Sequence, residues 1–293
     1  ALNVTGGTTV VNGTAGNTAV QAGSTLSVAS GGRIGSLTNA GTATITGTAG
    51  DLNNSGTATI SGTAGAITSS SSTTISSGGT ASALNVTGGT TVVNGTAGNT
   101  LVGNGGTLKG SGSVGALEIA SGGTLAVGNS PGTLTAASAL WKGGGSYDWE
   151  VNSFLGSSGV NYDFLNITGG LTIEAAIGNK FIIDVISLLA DNSLGEATNF
   201  NAFSNYTFTI ATAAGGISGF NSSYFDVVTS SFANSMSPSG ATRSGSWNVS
   251  QSGNNILLNY AAASTATAIP EPSSLTLAVL GFGILALRRR SRR

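Results

Sequence analysis

The sequence predicts an all-β protein: a β-helix solenoid with a β-rich C-terminal cap, followed by one short C-terminal membrane helix. Three observations predict it. Glycine is dense, at 47 of 293 residues, and β-branched residues alternate with small ones, which opposes helix through the body of the chain. Segments repeat at short intervals, and ALNVTGGTTVVNGTAGNT at residues 1–18 recurs without change at 83–100. At the far end a charge-free run, Leu275 to Leu287, stops against five arginines.

Between the two identical copies lie shorter units: GTATITGTAGDLNNS from Gly41, GTATISGTAGAITSS from Gly56 and STTISSGG from Ser72. Gly-(Ser/Thr) starts recur near Gly7, Gly23, Gly41, Gly56, Gly89, Gly106 and Gly123, most of them at short and nearly even intervals. Periods this short belong to solenoids with one supersecondary unit per coil. In the unit from Gly41, Ala43 and Ile45 point inward while Thr42, Thr44 and Thr46 point out. The glycines are assigned to tight corners that need positive φ. Residues 1–140 are thus expected to form roughly eight or nine coils, each rising about 4.8 Å. A calcium-bound β-roll would need an aspartate in every glycine-rich repeat, and Asp51 is the only one before residue 140.

From Trp141 the chain changes character. No aromatic residue precedes it, whereas three Trp, all five Tyr and nine of ten Phe lie between 141 and 260. Alternating runs such as Tyr147–Val151, Tyr206–Ile210, Trp247–Val249 and Ile256–Tyr260 read as half-buried strands with larger inward residues. Residues 141–262 are expected to be wider terminal coils plus a cap, because the open end of a β-helix would otherwise pair with neighbours. A separate β-sandwich is the alternative. Residues 263–269 are a linker, and 270–293 form the tail.

In the tail, Pro270-Glu271-Pro272 leaves Glu271 in an extended, accessible strip, since each proline restricts its neighbours. Thirteen residues of helix span only about 20 Å, short of a hydrocarbon core of roughly 30 Å. A buried core helix is still a poor reading. The adjoining Arg288, Arg289, Arg290, Arg292 and Arg293 would bury unpaired guanidinium groups. They suit a cytoplasmic flank, where snorkelling extends the span. This order of parts resembles the PEP-CTERM sorting signal of Gram-negative bacteria. The resemblance implies handling by a membrane-embedded exosortase that cleaves near the motif and releases or anchors the protein at the surface, within an extracellular polysaccharide matrix. On that resemblance Pro270, Glu271 and Pro272 are the recognition element, and the five arginines retain the precursor in the inner membrane through 275–287. The sequence begins at Ala1, not at a methionine or signal peptide, so an export signal is expected to lie outside it.

A second resemblance covers residues 108–138, 162–173 and 245–260. LKGSGSVGALEIASGGTLAVGNSPGTLTAAS, YDFLNITGGLTI and GSWNVSQSGNNILLNY look like the passenger-associated repeat of autotransporter-type β-helical proteins. The stretch from Gly123 through Gly132 is the most specific part. Family passengers carry a C-terminal outer-membrane β-barrel; the sorting tail stands in that place here, so the resemblance carries the fold and not the export route.

Composition narrows the chemistry. There is no cysteine for disulfides or thiolate metal sites, and no histidine to act as metal ligand or general base. Net charge is −1, but five of the ten basic residues sit in the tail. Removing them after Glu271 leaves five basic against eleven acidic residues, or −6. A mildly acidic surface makes nucleic acid an unsuitable partner. Asp148 and Glu150 share one strand face about 7 Å apart, a separation used for glycoside hydrolysis. They read as the polar side of a strand, since no other carboxylate or base accompanies them in sequence. Asp163, Asp184 and Asp226 each sit singly in apolar runs. Arg33, Asp51, Lys109 and Glu118 are all the charge that precedes Trp141, too few for a β-helical polysaccharide lyase. No catalytic, metal or cofactor residue is assigned, and the chain is expected not to be an enzyme.

A hydroxyl-rich face stands out more. Thr42, Thr44 and Thr46 stack above Thr57, Thr59 and Ser61, and these above Ser72, Thr74 and Ser76, at a spacing of 15. Threonine is a good polar β-former, so a plain solenoid wall explains it. Ice binding, O-glycosylation and carbohydrate contact are the functional alternatives. The array reads as clean for only about three coils, since Val10, Asn12, Val92 and Asn94 interrupt it and longer spacings should let the register drift. The expected function is an exported surface- or matrix-associated structural or adhesive solenoid. The alternative is a ligand-binding module, for ice or polysaccharide, using that face.

Overall fold

The computed structural model describes residues 1–235 and 245–262. Among these residues the strands form two long sheets, and the chain winds between them as a parallel β-helix. The eleven-stranded sheet takes one strand from each coil, beginning Thr8–Val11, Thr25–Val28, Thr42–Ile45, Thr57–Ile60, Ser72–Ile75 and Gly89–Val93. Gly106–Gly110 and Thr124–Val127 follow, so eight coils lie within residues 1–140. Every pairing in this sheet is parallel. The second, seventeen-stranded sheet receives the return half of each coil. That half bends midway: in Thr63–Ser69 the buried residues are Ala64, Ile67 and Ser69, so the inside–outside alternation slips at Gly65.

Alternation places one side chain from each coil on the same interior column. Val11, Val28, Ile45, Ile60, Ile75 and Val93 lie directly over one another and are buried. Where the column opposite turns polar, polar side chains bond to one another, although Asn39 Oδ1 and Thr91 Oγ1 have no partner among the described residues. Asn39 and Asn54 are fully buried and stacked. The Asn39 amide donates to Asn54 Oδ1 at 2.8 Å, and the Asn54 amide donates to Thr73 Oγ1 at 2.9 Å. Ser69 continues the line through a 2.8 Å hydroxyl contact with Thr73. Such internal ladders lower the cost of burying amides in an apolar tube.

Corner glycines have a different cause from the one the sequence suggests. A Cβ on Gly62 would sit 2.1 Å from the Gly47 carbonyl oxygen, and one on Gly47 would sit 2.2 Å from that of Gly32. Neither glycine has positive φ. Stacked coils approach too closely for any side chain there, so the requirement is space. Positive φ belongs to other glycines, such as Gly31 and Gly78 in turns, and coincides with a close approach at Gly89 and Gly110.

Register does not drift between unequal coils. The interval from Thr8 to Thr25 is longer than that from Thr42 to Thr57, yet both pairs lie in register. Extra residues are taken up in turns such as Ser76–Gly79.

Beyond Trp141 the same sheets continue. Ser146–Val151, Phe181–Ser187 and Phe225–Val228 add three parallel strands to the first sheet. The interior columns grow to match: Leu125 is succeeded by Tyr147, and Ile119 by Trp141. Trp141 stacks on Phe181 with centroids 4.7 Å apart and planes 5° from parallel. The second sheet ends in antiparallel strands, Ser246–Ser252 and Asn255–Ala261, the latter laid along Tyr206–Ala213. Among the described residues no helix is long and apolar enough to cross a membrane.

The corner geometry gives a direct test. Gly62→Ala is expected to cost about 1–3 kcal/mol, as overpacking does. Gly13→Ala, whose Cβ meets nothing within 4 Å, is expected to stay within about 0.5 kcal/mol of the parent. Equal melting temperatures for the two variants would contradict the close-approach account.

Candidate functional site

The sequence-read sorting residues, Pro270, Glu271, Pro272 and the arginines from Arg288 to Arg293, lie outside the described residues, as does the run 275–287. The threonine candidates occupy an outer face of the solenoid, and the carboxylates lie along its later coils, Asp163 inside.

On the eleven-stranded sheet, Thr42 and Thr44 lie in register with Thr57 and Thr59, and these with Ser72 and Thr74. Thr46 follows the end of its strand. The array is longer than three coils, because the register holds. One column runs through Thr8, Thr25, Thr42, Thr57, Ser72, Thr90, Thr107, Thr124 and Ser146, a hydroxyl from each of nine successive coils. The adjacent column is shorter: Ser27, Thr44, Thr59 and Thr74 lie between Val10 and Val92. The Thr25–Ser27 coil was hidden in sequence by its different surroundings.

The same adjacent column turns charged further along. Lys109 is followed by Ala126, Asp148 and Asp184, each on the next strand. Asp148 and Glu150 are therefore not unaccompanied, as their sequence neighbourhood suggested: Asp184, far downstream in the chain, lies directly beside Asp148. Burial first, then the charges of Asp184 and Glu150, push the Asp148 carboxyl up to about 6, with Lys109 opposing. Burial also raises Asp184. Glu150 is 9% exposed, and one of its oxygens has no partner among the described residues, as is true of Asp184 Oδ1.

Asp163 does a structural job beside them. It is fully buried and accepts backbone N–H bonds from Gly132 at 2.9 Å and Glu150 at 3.0 Å. Its own carbonyl accepts the Trp149 indole N–H at 2.9 Å. Asp163 thus clips the Gly128–Gly132 turn to the aromatic coil, and burial holds its carboxyl well above the usual carboxylate range. That turn carries Gly128 and Ser130 at positive φ, which accounts for its specific sequence. Asp226 lies opposite Ile182 on the last parallel strand. Asp51 accepts the Ala66 N–H at 2.9 Å. Arg33 starts a two-residue strand beside Thr48.

Sequence reasoning missed a groove of about 630 Å³ on the outer face of the second sheet. Leu101, Glu118, Leu140 and Thr172 run along it on successive strands. Glu118 is paired there with Lys142 at 2.7 Å. Only the bend of each coil half makes the face concave, and no sequence spacing signals it.

A family model described as the PEP-CTERM protein-sorting motif matches residues 268–293. That motif marks an exported protein sorted by exosortase, a membrane protease, in Gram-negative bacteria. No curated protein matches the chain. Among solved structures, the crystal structure of the TibC-catalyzed hyper-glycosylated TibA55-350 fragment is similar at 20% identity and a TM-score of 0.40. The alignment covers 79% of this chain and 97% of that one.

The stacked carboxylates set a pH dependence. Asp148 has a folded pKa of about 6, above its unfolded value, so the folded state binds more protons between about pH 4 and 6. Its contribution is therefore fully present below that window and lost as pH rises through it. Asp148→Asn is expected to raise stability at pH 8 by about 1–2 kcal/mol after allowance for solvent screening, and to flatten the pH profile. Chemical denaturation at pH 5 and pH 8 checks this; a steeper profile in the variant would contradict it.

Proposed function

We propose that the chain is a surface- or matrix-associated structural or adhesive rod, brought to its place by its C-terminal signal and acting without catalysis. One observation carries the reading: a charge-poor β-solenoid is joined through a short linker to a sorting motif at residues 268–293. The passenger-type repeats read at 108–138, 162–173 and 245–260 support the same role. The membrane run 275–287 serves transiently, until an exosortase acts near Pro270-Glu271-Pro272. Extracellular polysaccharide is the matrix partner on this reading.

The continuous hydroxyl column favours a second reading, a binding module for ice or polysaccharide. The structural reading nonetheless has the simpler physics. A threonine hydroxyl that leaves water for a soluble partner only exchanges one hydrogen bond for another. The column beside it keeps hydroxyls for four coils before Val10 and Val92 interrupt it.

Deleting residues 270–293 is expected to send the protein into the medium in place of the surface, and replacing Pro270 and Glu271 to trap the uncleaved form in the inner membrane. Fractionation of an exosortase-bearing host reads both. Wild-type behaviour of both variants would refute a sorting role. On the structural reading, the purified chain shows no thermal hysteresis and Thr44→Val with Thr59→Val leaves stability within about 0.5 kcal/mol. Hysteresis abolished by that pair would transfer the face to ice binding.

A further inference from the structure

Exposed large hydrophobic side chains are unevenly distributed. Of eight among the described residues, five lie in two loops: Leu155 and Val160 between Ser146–Val151 and Phe164–Ile167, and Leu189, Leu194 and Phe203 between Phe181–Ser187 and Tyr206–Ala213. Leu155, Val160 and Leu194 are 77%, 66% and 75% exposed. Single exposed hydrophobics are ordinary, but a cluster of this kind calls for an explanation.

The two loops are locked together. Ser153 bridges to Thr198, the Phe154 N–H bonds to the Thr198 carbonyl at 3.0 Å, and the Asn152 amide donates to Asn192 Oδ1 at 2.8 Å. Beneath them Phe154 packs against Phe200 and Tyr206, with centroids 4.7 and 4.8 Å away. The exposed residues are therefore displayed on a fixed base.

The chain leaves its last strand at the same place. Tyr260 Oη donates to the Ala202 carbonyl at 3.2 Å, and the Ala262 N–H donates to Asn205 Oδ1 at 2.7 Å. Only residues 263–274 separate that point from the apolar run 275–287, a reach of at most about 43 Å. A tail embedded in a bilayer thus tethers this loop pair, and not the far coils, close to the lipid. Neither loop contains Lys or Arg, while Asp163 ends the first and Asp191 and Glu196 lie in the second. Attraction to anionic headgroups is absent, and contact must come from apolar burial.

We propose that the loops 152–163 and 188–205 form a lipid-contact surface, bedding the cap of the precursor against the bilayer that holds its tail. The proposal rests on the membrane reading of the tail. It makes an uncleaved precursor lie with its cap at the membrane and its coils projecting away, which presents the linker at a fixed height.

The cysteine-free chain allows a clean test. Ser158→Cys in the first loop, or Ser30→Cys in the second coil, carries an environment-sensitive fluorophore in the full chain reconstituted into zwitterionic vesicles containing a lipid-attached quencher. Quenching is expected several-fold greater at 158 than at 30, and insensitive to salt. Leu155→Ser, Val160→Ser and Leu194→Ser together should bring the 158 signal down to the level at 30. An unchanged melting temperature would show the fold intact. Resistance to alkaline extraction reports the tail separately. Embedded protein with equal quenching at the two sites, or a triple variant quenched like the parent, would overturn the lipid surface. Quenching at 158 replaced by concentration-dependent dimerisation would assign the patch to a second copy instead. Extractable protein would overturn the tail reading and this one with it.

Discussion

Each coil must lie directly on the one before it at a single strand spacing, and the rest of the molecule follows from that constraint. Backbone ladders in both sheets supply the register, and the spacing of about 4.8 Å leaves no room for a side chain where the chain turns a corner. Gly47, Gly62, Gly95 and Gly112 are each pressed against a carbonyl of the coil below. The glycine content therefore reflects contact more than conformation. Alanine, better in most structures for its lower unfolded-state entropy, is excluded from these sites by a backbone oxygen. The interior obeys the same rule, because a residue inside the tube always meets its counterpart one coil away. Like therefore stacks on like: Val on Ile, Asn on Asn, and finally Phe181 on Phe225 in the widened coils.

Direct stacking also decides what the outside can carry. A hydroxyl tolerates another hydroxyl one strand away, since each both donates and accepts. A carboxylate beside another is disfavoured, and at Asp148 burial first, then the charges of Asp184 and Glu150, shift the group toward its neutral form. The first eight coils avoid the problem by carrying only four charges before Trp141. The wider coils near Trp149 accept it, where Asp163 turns a buried carboxyl into a clip by accepting two backbone N–H bonds.

Much of this was legible in sequence, for identifiable reasons. Strands with a period of two, such as Thr42–Ile45, announce themselves, and so do the identical copies at 1–18 and 83–100. Coil number follows from repeat length. What sequence cannot supply is register across coils of unequal length. Asp148 and Asp184 are far apart in the chain with no intervening repeat, so only the ladder reveals them as neighbours. Thr25 and Ser27 belong to the hydroxyl face although their coil matches no neighbouring unit in sequence. Asn39 and Asn54 carry no sequence mark of an inward aim, which becomes sensible only once the Asn39 amide donates to Asn54 and the ladder continues to Thr73. The groove beside Leu140 depends on a bend in each coil half, which a period-two pattern does not encode. The loop pair carrying Leu155 and Leu194 is a tertiary association between distant stretches of chain, joined at Asn152 and Asn192.

Charge is distributed as unevenly as exposed hydrophobicity. Residues 1–140 carry two basic and two acidic groups and are net neutral. Residues 141–271 carry three basic and nine acidic groups, a net −6, while the arginines of 272–293 add +5. The intact chain is thus nearly balanced in sum, although on the sorting reading the arginines lie across the bilayer from the acidic half. Cleavage after Glu271 would remove the whole positive contribution and leave the acidic half beside a membrane of negative surface potential. Repulsion then opposes whatever hold the exposed loops have on lipid, and in the processed form no membrane anchor is left to offset it. A neutral, stiff array of coils has no such preference. The same cut that frees the chain covalently would therefore also let a repulsion already present favour departure from the membrane.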